Sequence, residues 1–313
     1  MHIAENISLL ERSWFRTGGT ARFYCEPTDA NDMQRALAFA RATGVDVAVI
    51  GDGANLLIND GTFDALVIRP AATTPAIAPG AGKDELHVTA GAGVLMDTVI
   101  AAALDAGAIG LEDFSGIPGT VGGALFINLH YLEHFIADHL VRARIIECAS
   151  GAVSDVTPDW FGFGYDTSAL HLRRHVVLDA VFRVQRVSAT DVAYARGRRA
   201  EIIRHRQRRY PTERTCGSFF RNFLPSEINF GINGQKILHV AYYLDKLGVK
   251  GELAVGDAVV SHKHANMIVN NGTATAADIV ALARRMQTLL QARYGIVPQP
   301  ECQLLGFAQP PLL

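Results

Sequence analysis

The sequence is poor in the features that mark secreted, membrane-spanning or metal-dependent chains. Four cysteines occur in 313 residues (Cys25, Cys148, Cys216, Cys302), and no two of them form a C-x-x-C pair. That spacing argues against a zinc site and against a disulfide framework, and it fits a chain kept reduced in the cytoplasm. No uninterrupted apolar run approaches the ~18 residues that a bilayer span requires. The opening Met-His-Ile-Ala-Glu-Asn has no basic segment followed by an apolar one, so no secretory signal is expected. Neither sign of charge is in excess: the net charge is −2, which gives no global pull toward nucleic acid or a membrane surface. Nothing in the sequence specifies an oligomeric state, and no metal is expected.

Apolar residues make up 49% and charged residues 19%, the balance of a globular chain, and 313 residues predict two or three domains. Glycine is where the sequence is most informative. Ser115-Gly116-Ile117-Pro118-Gly119-Thr120-Val121-Gly122-Gly123-Ala124 holds four glycines and a proline in ten uncharged residues. Glycine admits backbone angles that a Cβ forbids and lets another group approach the main chain. Amides along such a turn would cradle an anion, a diphosphate for example; a tight buried turn accounts for the same residues. A second glycine loop, Gly51-Asp52-Gly53-Ala54-Asn55-Leu56-Leu57, follows the β-branched strand Val45 to Ile50. No third glycine opens a helix after it, so the loop departs from the dinucleotide fingerprint.

In chain order, Trp14-Phe15-Arg16-Thr17-Gly18-Gly19 is a bulky pair followed by a glycine turn. Thr28 or Asp29 caps a helix running to Thr43, with Met33, Ala36, Leu37 and Ala40 on its apolar face. Strands are expected at Ala65 to Ile68, Leu86 to Ala90, Val141 to Cys148, Val153 to Val156 and His175 to Val187. A loop over 70–83 and an alanine-rich helix from Val94 to Ala106 lie among them. Between Arg196 and Arg214 there are eight arginines. The chain offers no further basic surface or aromatic platform for nucleic acid, so the run reads as a helix with a solvated basic face near a domain boundary. One or two of these arginines could contact an anionic ligand. Further helices are expected at Asn233 to Gly248 and Ala274 to Tyr294, and a strand at His264 to Val269. The last helix carries the stripe Ile279, Leu282, Met286 and Leu290.

The order of the segments says more than any one of them. Trp-Phe-Arg-Thr-Gly-Gly, Gly-Asp-Gly-Ala-Asn-Leu-Leu, Gly91-Ala92-Gly93, the 115–124 run, Gly217-Ser218-Phe219-Phe220-Arg221-Asn222 and Lys263-His264-Ala265-Asn266-Met267-Ile268-Val269-Asn270 follow one another. Together they resemble the UDP-N-acetylenolpyruvoylglucosamine reductases, flavoenzymes of peptidoglycan (cell-wall) biosynthesis, over residues 13–308. The resemblance implies an α+β fold. A two-subdomain FAD-binding module of the PCMH/VAO type (1–78 and 79–190) would precede a smaller α+β substrate domain (191–313).

It also implies a noncovalent FAD, with NAD(P)H as electron donor and a small anionic substrate. Gly51, Asp52, Gly53, Ala54, Asn55 and Leu56 would hold the cofactor's diphosphate with Ser115, Gly116, Pro118, Gly119, Thr120, Gly122, Gly123 and Ala124. Ala54 stands where the family usually has serine, a loss of one hydrogen bond worth ~1 kcal/mol. Ser218 matches the family's proton donor and Glu301, in Pro298-Gln299-Pro300-Glu301, the carboxylate that assists it. Arg221 and Asn222 match the strand that meets the substrate diphosphate, Arg221 standing in place of lysine and Phe223 in place of proline.

Two departures fall where the flavin's reactive face would lie. The family places a catalytic arginine after a tyrosine in Tyr-Arg-x-Ser; here Tyr165-Asp166-Thr167-Ser168 puts Asp166 in that position. An anion facing an anionic substrate is penalised by several kcal/mol where water is scarce. Asn128-Leu129-His130-Tyr131-Leu132-Glu133-His134 replaces the family's small Asn-Ala-Gly-Ala-Tyr-Gly loop, adding His130 and His134 as potential acid–base groups or plain loop filling. Three functions stay open on the sequence: the reductase itself; a flavoenzyme of a specialised pathway acting on another small molecule, with Tyr165, Asp166 and His130 shaping an altered pocket; and a flavin binder without catalysis.

Overall fold

Short polar side chains and glycines set the ends of the helices. Helix α1 (Ala30–Thr43) begins where Asp29 accepts a hydrogen bond from the Asp32 amide at 2.8 Å. It stops at Gly44, whose φ of 68° is the left-handed conformation that glycine adopts without strain. Met33, Ala36, Leu37 and Ala40 are buried, as their spacing requires. Further along lie α2 (Met96–Asp105), α3 (Val121–Phe126), α4 (Ala189–Arg209), α5 (Val240–Lys246) and α6 (Ala276–Tyr294).

The computed structural model describes residues 1–231 and 234–313. They divide into two units: residues 1–7, 21–52 and 64–206, and residues 8–20, 53–63 and 207–313. In the first unit a four-stranded sheet runs in the order Ala4–Ser8, Thr20–Cys25, Thr62–Ile68, Asp46–Val49. Its last two strands are parallel. α1 covers this sheet, with Phe39 edge-on to Phe23 at 5.0 Å.

The larger sheet of the same unit runs Val153–Val156, Leu140–Glu147, His175–Arg186, Glu85–Gly91, Ala76–Pro79, with Ala108–Ile109 paired to the end of His175–Arg186. These neighbours are antiparallel. The apolar alternation of Glu85–Gly91 puts Leu86, Val88 and Ala90 in the core with Val99, Ile100 and Leu104 of α2 and Leu125 of α3.

Several local expectations change. The 70–83 loop contains the edge strand Ala76–Pro79, which its proline fraction hides and which an edge position tolerates. The 115–124 run is not wholly a turn: Thr120 caps α3, accepting from the Gly123 amide at 3.3 Å. The arginine-rich helix spans 189–209, and three of its arginines pair with aspartates on other elements. Arg196 meets Asp105 at 2.6 Å, Arg199 meets Asp97 at 2.6 Å and Arg198 meets Asp113 at 2.5 Å.

In the second unit α6 buries Ile279, Leu282, Met286 and Leu290 among Phe15, Phe219, Phe220 and Tyr243. The expected strand at His264 to Val269 shortens to Ile268–Asn270, joined to Ala258–Val260 and Ala254–Val255, because residues 262–267 turn back on themselves. Asn233, the expected start of a helix, lies outside the described residues; the helix present there is α5 (Val240–Lys246). Among the described residues no helix is long and apolar enough to cross a membrane.

The first amides of α6 are taken up twice. Thr275 and Asp278 form a reciprocal capping box, and Asp60 accepts from the amides of Ala276 at 2.9 Å and Ala277 at 3.1 Å. Asp60→Ala is expected to lower stability by about 1 kcal/mol, read from the urea midpoint at constant slope.

Candidate functional site

In the first unit the two glycine stretches meet. A Cβ on Gly51 would lie 2.5 Å from Thr120 Oγ1, so only glycine allows the loop after Asp46–Val49 to approach the start of α3. Arg69 steadies that loop, donating to the Gly51 carbonyl at 3.2 Å and standing 3.6 Å from Asp52. The 115–124 run docks on Gly91-Ala92-Gly93 through Val121 N to Val94 O at 2.8 Å and Gly122 N to Ala92 O at 2.9 Å. Gly116 and Gly119 adopt φ of 72° and 137°, and Arg206 of α4 donates to the Gly116 carbonyl at 3.0 Å. Ser115 is fully buried, and its Oγ has no hydrogen-bond partner among the described residues. A buried hydroxyl left this way at a glycine cradle is suited to a bound polar group.

α3 ends on the turn that carries Tyr165 and Asp166. Gly164 N donates to Thr167 O at 3.1 Å to close it, and Asn128 Nδ2 donates to Gly164 O at 3.0 Å. Ser168 Oγ donates to Phe126 O at 2.8 Å. Asp166 takes φ of 53°, which aspartate tolerates better than most residues. Its Oδ1 lies 3.6 Å from His130 Nδ1 on the short hairpin His130–Tyr131/His134–Phe135. The His130 ring also packs on Tyr165, centroids 5.0 Å apart. His134 points elsewhere, toward Asp113 at 3.7 Å.

In the second unit one short segment joins the remaining residues. Glu301 N donates to Phe219 O at 2.9 Å, Arg221 N donates to Gln299 O at 3.0 Å, and Phe220 and Pro300 form an antiparallel bridge. Ser218 and Glu301 therefore stand on adjacent, paired segments. The same segment continues as Gln303–Leu305, parallel to Leu56–Ile58, with Gln303 N donating to Asn55 O at 3.0 Å. Asn55 Nδ2 reaches Glu301 O at 3.4 Å, while Asn55 Oδ1 is buried with no hydrogen-bond partner among the described residues. Gly53 turns against the chain entry: Trp14 N donates to Gly53 O at 3.1 Å, and a Cβ there would run into the Arg12 carbonyl. Ala54 lies within this turn.

The Lys-His-Ala-Asn segment works as a fastener. Asn266, 2% exposed, accepts from Phe220 N at 3.2 Å and donates to Phe220 O at 2.7 Å, while its own carbonyl takes Phe219 N at 2.8 Å. Asn270 donates to Phe15 O at 2.8 Å, which explains why the Trp14-Phe15 pair belongs to the pattern. Lys263 Nζ donates to Gln207 O at 2.9 Å at the end of α4. Burial, with help from the Arg209 and Lys250 charges, lowers the His264 pKa to about 4.

Arg221 forms a fork with Glu227, 2.8 and 2.6 Å, and its guanidinium holds the Glu227 carboxyl below the usual range. The sequence reading missed Glu227, Asn128 and Arg69. A carboxylate six residues from an arginine has no fixed partner in sequence, but the Asn128 position, closing the glycine run, could have drawn notice.

Comparison with known proteins gives a consistent result. The family model "UDP-N-acetylenolpyruvoylglucosamine reductase, C-terminal domain" matches residues 209–305, and "FAD binding domain" matches residues 21–157. The UDP-N-acetylenolpyruvoylglucosamine reductase of Trichormus variabilis is 34% identical, covering 93% of this chain and 83% of that protein. The one of Synechococcus sp. (strain WH7803) is 33% identical, covering 98% of this chain and 94% of its own. The crystal structure of UDP-N-acetylenolpyruvylglucosamine reductase (MurB) from Thermus caldophilus superposes with a TM-score of 0.76 at 28% identity, covering 97% and 99% of the two chains. The α+β class and the flavin-binding module expected from the motifs agree with these matches. The residues of the first unit fit FAD: a cradle that a Cβ at Gly51 would fill, and the buried Ser115 Oγ with no hydrogen-bond partner among the described residues.

Two outcomes follow from the second unit. Folding keeps His264 neutral, whereas the unfolded chain protonates it near the ordinary 6.5, so protons favour the unfolded chain. Stability should fall as pH drops from about 6.5 toward about 4, and His264→Gln should flatten that slope in urea titrations across the range. Asn266→Ala strands the buried Phe220 N–H and C=O and should cost about 3 kcal/mol in the same measurement.

Proposed function

The chain belongs to the UDP-N-acetylenolpyruvoylglucosamine reductase family, and we propose that it performs that family's reaction on an anionic UDP-sugar enol ether. The observation that supports this reading is the pairing of the segments that carry Ser218 and Glu301 through the Phe220–Pro300 bridge, which brings a hydroxyl-bearing and a carboxylate-bearing residue onto adjacent backbone. The chain is an FAD-dependent oxidoreductase, with NADPH as the electron donor. We assign residues 1–78 and 79–190 to cofactor binding and 191–313 to substrate binding.

The chemistry supplied by bound FAD is transfer of a hydride equivalent from NADPH to one alkene carbon of the enolpyruvyl group. Gly51 to Leu56 and Ser115 to Ala124 hold its diphosphate through backbone amides, with the Ser115 hydroxyl as a further partner. Ser218 Oγ gives its proton to the carbon adjacent to the one that receives hydride, and Glu301 assists by returning a proton from solvent to the serine. NADPH and one proton are consumed for each double bond reduced. Asn222 and Arg221 meet the substrate's diphosphate; for Arg221 this means exchanging one Glu227 oxygen for a phosphate oxygen, a fork suited to either. Tyr165 and His130 line the acceptor end. A cytoplasmic location fits the four free thiols and the dependence on NADPH.

Purified FAD-loaded protein given UDP-N-acetylglucosamine enolpyruvate should oxidise NADPH mole for mole with formation of UDP-N-acetylmuramate. Failure to do so while NADPH still bleaches the flavin would favour a different acceptor. Ser218→Ala should lower kcat by about 10²-fold or more with FAD content unchanged, measured by NADPH absorbance. A normal rate in that variant would remove Ser218 from the mechanism.

A further inference from the structure

We propose that His130, oriented by Asp166, is the cationic hydrogen-bond donor to the carboxylate end of the acceptor; the inference rests on the function proposed above. As hydride reaches an alkene conjugated to a carboxylate, negative charge builds on the adjacent carbon and the carboxylate oxygens. A donor already in place lowers that barrier most when it carries positive charge. Asp166 by itself would oppose the charge, yet its placement gives it another task. The side chain is 10% exposed, is fixed by a left-handed turn at φ 53°, and directs Oδ1 to within 3.6 Å of His130 Nδ1.

The turn cannot swing away readily, because Asn128 binds the Gly164 carbonyl and Ser168 binds the Phe126 carbonyl. With Nδ1 facing Asp166, the ring presents Nε2 to the substrate. Tyr165, at 5.0 Å, and Phe135, at 5.5 Å between ring centroids, hold the imidazole plane. Two charged groups on neighbouring elements are engaged elsewhere: Arg206 lies over Tyr131, and Asp113 is shared by Arg198 and His134. His130 is thus a catalytic residue and Asp166 a positioning residue.

The test uses the FAD-loaded full chain with UDP-N-acetylglucosamine enolpyruvate and NADPH. His130→Ala should lower kcat about 100-fold, with FAD content and melting midpoint unchanged. Asp166→Asn should lose about tenfold alone and nothing further in the His130→Ala background, the outcome expected of a residue that acts through the ring. His130→Ala combined with Asp166→Arg should regain at least about tenfold over His130→Ala, because a guanidinium on the turn supplies the cation directly. Arginine is accommodated at such backbone angles in this chain, as at Arg16, Arg173 and Arg214. The proposal is overturned if His130→Ala stays within about threefold of the unaltered chain or loses its FAD or its melting midpoint. It is equally overturned if the two losses add in full, or if adding Asp166→Arg to His130→Ala gains nothing. No turnover by the unaltered chain overturns the proposed function, and this proposal with it; the outcomes above arise only when that function stands.

Discussion

The segment from Gln299 to Gln303 is the constraint on which the second unit depends. Its backbone is hydrogen-bonded on one side to Phe219 and Arg221 and, two residues later, to Asn55. Three stretches far apart in sequence are thereby fixed in one layer, at an ordering cost of about 1–2 kcal/mol per residue. Burial offsets that cost: Phe219 and Phe220 are fully inaccessible, and Asn266 satisfies both polar backbone groups of Phe220 from the far side. Ser218 and Glu301 need no long-range side-chain interaction to stand near each other. The backbone ladder does it for them.

The first unit solves a different problem, that of bringing polar backbone close to polar backbone. Gly51 accepts the approach of Thr120 because it lacks a Cβ, and the 115–124 run leans on Gly91 to Gly93 through main-chain bonds. Side chains then tie the ends. Arg206 holds Gly116 and Arg69 holds Gly51, both by donating to carbonyls, which leaves the amide side of each loop for an anion. The arginine-rich helix also changes meaning in this setting. Arg196, Arg198 and Arg199 are matched to Asp105, Asp113 and Asp97, so this stretch of the helix is tied to the module. Exposed pairs of this kind contribute little singly, but they orient the helix that carries Arg206.

Much of the fold was readable in advance, and the misses share a cause. Helix α1, α6 and the long strand His175–Arg186 carry strong periodicity and local caps, so their sequence alone predicts them. The edge strand Ala76–Pro79 and the short strand Ile268–Asn270 exist only because a partner strand is beside them, and their composition resembles loop. Glu227, which neutralises the Arg221 fork, and Asn128, which anchors the Gly164 carbonyl, are ordinary polar residues until folding gives them partners.

The order of the glycine and polar motifs by itself determined the family, the flavin and the α+β class. Glycines required for close approach cannot be replaced without collision, and so they remain legible in a single chain. The meaning of Asp166 was decided only by tertiary structure. In sequence it is an acid where a base is expected, which reads as a reversal of charge. In the fold it lies beside His130, contributed by a hairpin 36 residues earlier. What stands beside Asp166 is set by packing across the fold, not by position in the chain.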